Sequence, residues 1–243
     1  MPPKEIDELR KTLDTLNFAR EGVVPFKGLP IMEKAFFPGG NGLFLGSNGR
    51  VPIQGVLTVG SNFGCTEDFV REDGTLVRLD ETRTSNTWIG LRRIFAPETT
   101  IELDDCFFTN SWPFLHEGTS NETKGLTREW LADRELMADC MKLLEATLSL
   151  IRPRLIVALG PPASAFLACF WPKELRVWRG NSIAAIDKCP IQSVLFGGRR
   201  IICTAVTHPS HSNSWRRRPP YRGTEGEITL LAEAAFQAKQ ALD

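Results

Sequence analysis

Residues 140–167 read CMKLLEATLSLIRPRLIVALGPPASAFL, and this stretch decides the fold class. Its first part continues a pattern in which Leu131, Leu136, Met137, Cys140, Leu143, Leu144, Thr147 and Leu148 share one broad face of a helix over 127–151. Pro153 closes that helix, because proline lacks the N–H that another turn would need. LIVALG (155–160) is then an unbroken apolar run of strand length ending in glycine. A short helix built on Ala163, Ala165, Phe166 and Leu167 follows it. A short run without polar alternation marks a strand buried on both faces, and such strands belong to parallel sheets covered by helices.

The same alternation extends in both directions. VPIQGVLTVG (51–60) reads as a second buried strand, DDCFFTNSW (104–112) as a third running into a loop, and VLFGGRRIICTAV (194–206) as a strand pair. Ile6, Leu9, Leu13 and Leu16 give a helix within 4–20. TSNTWIGLRRIF (84–95) opens on a Ser or Asn cap, and EGEITLLAEAAFQAKQAL (225–242) is a C-terminal helix. The expected architecture is α/β: three α/β/α layers around a central, mostly parallel sheet of about four strands. A single domain over 1–243 is expected, with a helix and a Gly/Pro-rich extension in 1–50, a core in 51–220 and the terminal helix in 224–243.

Of the 243 residues 42% are hydrophobic and 24% charged, which excludes disordered, collagen-like and coiled-coil classes. Lys plus Arg equals Asp plus Glu at 29 each, so a polyanion site must be a local patch. The opening MPPKEIDELRKTL has no apolar stretch of signal-peptide length, and no window approaches a membrane span. A cytoplasmic monomer is expected, on the nucleoid if the source is bacterial. The six cysteines lack any C-x-x-C pair and read as buried, reduced thiols. His116, His208 and His211 lack ligand spacing, so neither a metal nor another cofactor is expected.

In doubly wound sheets, ligands bind in the crevice outside the carboxyl ends of the strands. Three polar segments fall there: 60–68, 109–116 and 207–215. The first is Gly60-Ser61-Asn62-Phe63-Gly64-Cys65-Thr66-Glu67-Asp68, a turn whose glycines allow positive φ and close approach to a ligand. No Gly-Lys-Ser/Thr follows, so it is not a phosphate loop. The second places Asn110 just past an apolar strand. Its amide carries both a donor and an acceptor, which suits the edge of a pyrimidine or the capping of a turn. In the third, Pro209 holds His208 in an extended conformation. Ser210, His211, Ser212, Trp215, Arg216, Arg217 and Arg218 then offer phosphate contacts beside an aromatic ring, or simply a solvated face. No G-x-S-x-G elbow is present.

In the order G-x-N-x-G-x-x-E-D, T-N-S-W, L-I-V-A-L-G and T-H-P-S, these pieces resemble the uracil-DNA glycosylase superfamily over roughly residues 51–220. The resemblance implies hydrolysis of the N-glycosidic bond of uracil or another deaminated base in single- or double-stranded DNA, by a monofunctional enzyme of base excision repair. It implies that Asn62, at the water-positioning place, acts with Glu67 or Asp68 near the sugar. It assigns Asn110 to the base edge and His208 to the base oxygen, with Gly60, Ser61 and Gly64 shaping the pocket. Phe63 or Trp88 would stack on a flipped base, and the 210–218 segment would meet DNA, with Trp215 as a wedge. The sequence departs from the iron–sulfur branch, because the N-terminal C-x-x-C is missing and Phe114 stands near a later cysteine position. Two alternatives accompany this reading: a superfamily member that binds nucleic acid or a nucleobase without efficient excision, and an unrelated nucleoside hydrolase.

Overall fold

The computed structural model describes residues 4–26, 35–44, 46, 48–62, 64–66, 86–95, 97–118, 126–209 and 217–241. Five strands form the central sheet: β2 (Val56–Gly60), β3 (Cys106–Asn110), β5 (Leu155–Leu159), β6 (Ile191–Phe196) and β7 (Arg199–Val206). Their order is β3-β2-β5-β7-β6, with the first four parallel and β6 antiparallel at one edge. The mostly parallel α/β sheet is as expected, with one strand more than anticipated. β6 and β7 form a hairpin whose turn, Gly197-Gly198, has φ of +55° and +76°. Two residues at positive φ are what the tightest hairpin turn requires. A second, two-stranded ribbon pairs β1 (Val23–Pro25) with β4 (Phe114–His116).

Helices cover both faces. On one side lie α1 (Lys4–Thr15), α4 (Arg134–Ile151) and α5 (Pro161–Phe170), packed on Leu57, Val59, Phe107, Ile156 and Ala158. On the other lie α2 (Asn86–Ile94) and α7 (Gly223–Gln240), packed on Val56, Cys106, Phe108, Leu155 and Val157. Alternate residues of β2, β3 and β5 thus feed the two clusters, which is why these strands read as continuous apolar runs. Each large apolar side chain so buried contributes about 1.5–3 kcal/mol. Among the described residues no helix is long and apolar enough to cross a membrane.

The helix expected over 127–151 is two. α3 (Leu126–Ala132) stops at Asp133, whose carboxylate accepts the N–H groups of Glu135 and Leu136 and so starts α4 afresh. A short acidic side chain bonds its own backbone more readily than it continues a helix. At the far end Arg152 takes the left-handed conformation, φ +52°, directly before Pro153. A further short helix, α6 (Ile183–Ile186), precedes β6.

Residues 36–43, within the expected Gly/Pro-rich extension, lie along the outer edge of β3. Phe37 N–H donates to the Phe108 carbonyl at 2.9 Å, and Phe108 N–H donates to that of Gly42 at 2.8 Å. Arg10 on α1 fastens this strap by donating to the carbonyls of Pro38 and Gly40 and to Asn41 Oδ1, with its guanidinium over the Phe37 ring. The arrangement covers part of an edge that would otherwise expose unpaired backbone groups.

Candidate functional site

Four adjacent parallel strands, β3, β2, β5 and β7, deliver their carboxyl ends side by side. Those ends carry Asn110, Gly60 with Ser61 and Asn62, Gly160, and Thr207 with His208. Asn110 and Gly60 are register partners. A Cβ on Gly60 would collide with Asn110 Oδ1, and it would stand 3.3 Å from Cε2 of Phe36. The glycine is therefore a space requirement: the Asn110 amide lies across the end of β2 because nothing projects there. Opposite, a Cβ on Gly160 would stand 3.2 Å from that of His208. Three strand spacings of about 4.8 Å separate β3 from β7, about 14 Å across this row of strand ends.

Asn110 is only 9% exposed, yet among the described residues its side-chain amide makes no hydrogen bond. The turn-capping role open to it is taken by Ser111, whose Oγ donates to the Gly60 carbonyl at 3.0 Å. The amide is not one of the fully buried, unpartnered side-chain groups of the described residues, so water or a ligand can bond it at the strand end. It places a polar group that can both donate and accept at the carboxyl end of β3.

The turn after β2 is tied down along its length. Ser61 O accepts from Trp112 N–H at 3.0 Å, Gly64 O accepts from His116 N–H at 3.0 Å, and Thr66 Oγ1 accepts from Gly118 N–H at 3.2 Å. Gly64 sits at φ +99°, where a side chain would be strained. Ser61 and Asn62 are half-buried. Phe63, Glu67 and Asp68 lie outside the described residues, as do Ser210, His211, Trp215 and Arg216.

Two expected contacts are corrected. Trp88 offers no face to a base: it is 3% exposed and wedged among Phe36, Phe44 and Phe108, with ring centroids 5.0–5.6 Å away. Its helix packs on the turn at His208, since a Cβ on Gly90 would strike Pro209. Arg217 does not reach toward DNA. It is 2% exposed and bonded to Asp187 at 2.9 Å and Glu227 at 2.7 Å. Arg218 is exposed, as expected of a loop cation. The sequence reading missed Phe36, the half-buried ring beside Gly60 that Trp88 supports from behind at 5.5 Å. Its signal was a pair of phenylalanines in a Gly/Pro-rich loop, where apolar rings need something to cover.

α5 begins at this crevice, but its first two positions are Pro161 and Pro162, which have no N–H. The helix end is thereby stripped of half the donors that usually make such a terminus an anion cradle. Behind the turn, a hollow of about 160 Å³ is lined by Arg20, His116, Trp130 and Asp133, and Arg20 already pairs with Asp133 there. Among the described residues, no group of three or more His, Cys, Asp or Glu could hold a metal ion.

Residues 81–226 match the family model of the uracil DNA glycosylase superfamily. The chain belongs to the uracil DNA glycosylase superfamily. The match spans Asn110 and His208 and starts beyond the Gly60–Asp68 segment. The superfamily is one of hydrolytic DNA glycosylases of base excision repair, which makes DNA the general partner. No curated protein matches the chain.

Proposed function

We propose that this superfamily member is a monofunctional glycosylase that excises uracil or another deaminated base from DNA. The observation that supports the reading is the Asn110 amide lying over Gly60, with no side-chain bond among the described residues, in the same row of strand ends as His208. A target nucleotide must leave the stack to reach such a pocket, at a cost of a few kcal/mol. Asn110 Oδ1 would accept the N–H of the uracil edge while Nδ2 donates to the neighbouring carbonyl. Cytosine presents the opposite pattern there and is refused. The Phe36 ring, beside Gly60, would form an apolar wall for the base.

Breaking the C1′–N bond puts negative charge on the departing base and positive charge on the sugar. His208 is assigned the donor to the base oxygen, aided by backbone N–H groups of the 61–64 turn. Donors fixed where charge develops are usually the largest catalytic contribution, with about 10²–10³ in rate lost per donor removed. Asn62 cannot take a proton at neutral pH, so its role is to orient the water that adds to C1′. Glu67 or Asp68 would supply negative charge near the sugar. Ser210, His211, Trp215, Arg216 and Arg218 are the proposed DNA contacts.

The test is a uracil-containing oligonucleotide treated with the protein and then with alkali. Strand breaks formed about a hundredfold or more slowly by His208→Ala and Asn110→Ala support the proposal. Tight binding with no breaks on uracil, hypoxanthine or xanthine would replace it with a binding function. Turnover of free nucleosides instead of DNA would replace it with nucleoside hydrolysis.

A further inference from the structure

A single carboxylate bonds residues on both sides of 210–216. Glu227, on α7, is 2% exposed. Its Oε1 accepts the Thr207 N–H at 3.1 Å and the Thr207 hydroxyl at 2.6 Å, and its Oε2 accepts Arg217 Nη1 at 2.7 Å. Thr207 immediately precedes His208, and Arg217 is the first described residue after 210–216. Arg217 is tied again through Nε to Asp187, just past α6, and Asp187 also accepts the Arg218 N–H at 3.4 Å. Burial pushes the Glu227 carboxyl up from its ordinary value, while the bonds from Arg217 and Thr207 pull it down. Replacing a buried ionic network with apolar packing is often neutral or stabilising, so its presence here points to a need for fixed geometry.

We propose that Glu227 is a positioning residue that sets His208 through Thr207 and ties Arg217 to the same turn. The proposal rests on the excision reading above. With Gly160 pressed against His208 and α2 against Pro209 at Gly90, the carboxylate adds a further restraint on this turn. Thr207→Val removes one arm with almost no change of shape. Glu227→Gln keeps an acceptor for Thr207 but turns an amide toward Arg217.

The experiment measures single-turnover excision for the wild type, Thr207→Val, Thr207→Ser and Glu227→Gln, each with and without His208→Ala. Amide exchange of the peptide spanning 207–217 is followed in parallel. Displacing a catalytic group by about 1 Å can cost about 10²-fold. The proposal expects Thr207→Val and Glu227→Gln to lose about tenfold to hundredfold in rate at an unchanged half-saturating DNA concentration. Thr207→Ser should keep the wild-type rate, and the losses should shrink toward onefold when His208 is already alanine. Exchange of the peptide should quicken in Thr207→Val. Equal losses in both backgrounds, or normal rates despite faster exchange, would overturn it. Should the wild type excise no base at all, the excision reading fails by itself. Exchange then judges the clamp, and an unchanged peptide refutes it.

Discussion

Gly60→Ala adds one methyl group where the structure has no room for it. The new carbon would overlap Asn110 Oδ1 and approach Phe36 Cε2 to 3.3 Å. The backbone at Gly60 is ordinary strand, paired in register with Asn110, so the penalty is steric. Overpacking of this kind costs about 1–3 kcal/mol, and the cheapest relief is to swing the Asn110 amide away from β2. A displacement of about 1 Å at a group that reads the substrate lowers the rate about 10²-fold. The variant should therefore fold with a modestly lower Tm and lose about hundredfold in single-turnover excision of uracil, with weaker discrimination against cytosine. Combined with Asn110→Ala, the same methyl should cost little further rate and less stability, because the colliding oxygen is gone. An excision rate and base preference equal to wild type in Gly60→Ala would show that Asn110 does not face the base.

Other expectations concern parts of the fold that support the site. Tyr221 is the sole tyrosine of the chain; burial and its bond to Glu233 push its phenol up to about 12. Absorbance titration at 295 nm should place the midpoint there and not near 10. Since the folded value is the higher one, Tyr221's stabilising contribution is full below pH 10 and fades as the pH rises through 12. Glu233→Gln should move the midpoint down. Arg217→Ala leaves Glu227 and Asp187 buried without their cation and should cost about 3–5 kcal/mol in urea unfolding, with the salt dependence of DNA binding unchanged. A salt slope reduced by about one would restore Arg217 to the DNA surface. Asp133→Ala should cost about 1 kcal/mol. The bond from the Leu136 N–H is the chief cause that holds its carboxyl below 3.8, so the wild-type advantage should shrink as the pH falls below that value. Burial pushes the thiols of Cys106, Cys140 and Cys203 up, so these three should resist alkylation until the chain unfolds.

Local signals wrote much of the fold. Leu155–Leu159 is an apolar run bounded by Pro153 and Gly160, and a strand covered on both faces is the one use for it. The break at Asp133 was present as a good cap, but the apolar face of α3 and α4 runs on across it and reads as one helix. The three-residue strands β1 and β4 have no period to detect, because their pairing joins segments about ninety residues apart in the chain. The strap at Phe36 and Phe37 looks like a loop by composition; what orders it is the free edge of β3 and the reach of Arg10. At the site, glycines at strand ends and the rigid His208-Pro209 step were legible because one residue fixes each backbone. Arg217 was not. Three consecutive arginines look alike until the acids that claim one of them, 10 and 30 residues away, are brought into contact.

The central claim is that four strand ends enclose one base between Asn110 and His208. A crystal structure with uracil bound tests it most directly. The account predicts the ring beside Gly60 and Phe36, with the Asn110 amide on its N–H edge and the His208 imidazole within hydrogen-bond distance of a carbonyl oxygen. Uracil seated elsewhere, or a crevice that stays empty at saturating base while DNA is still cut, would contradict it.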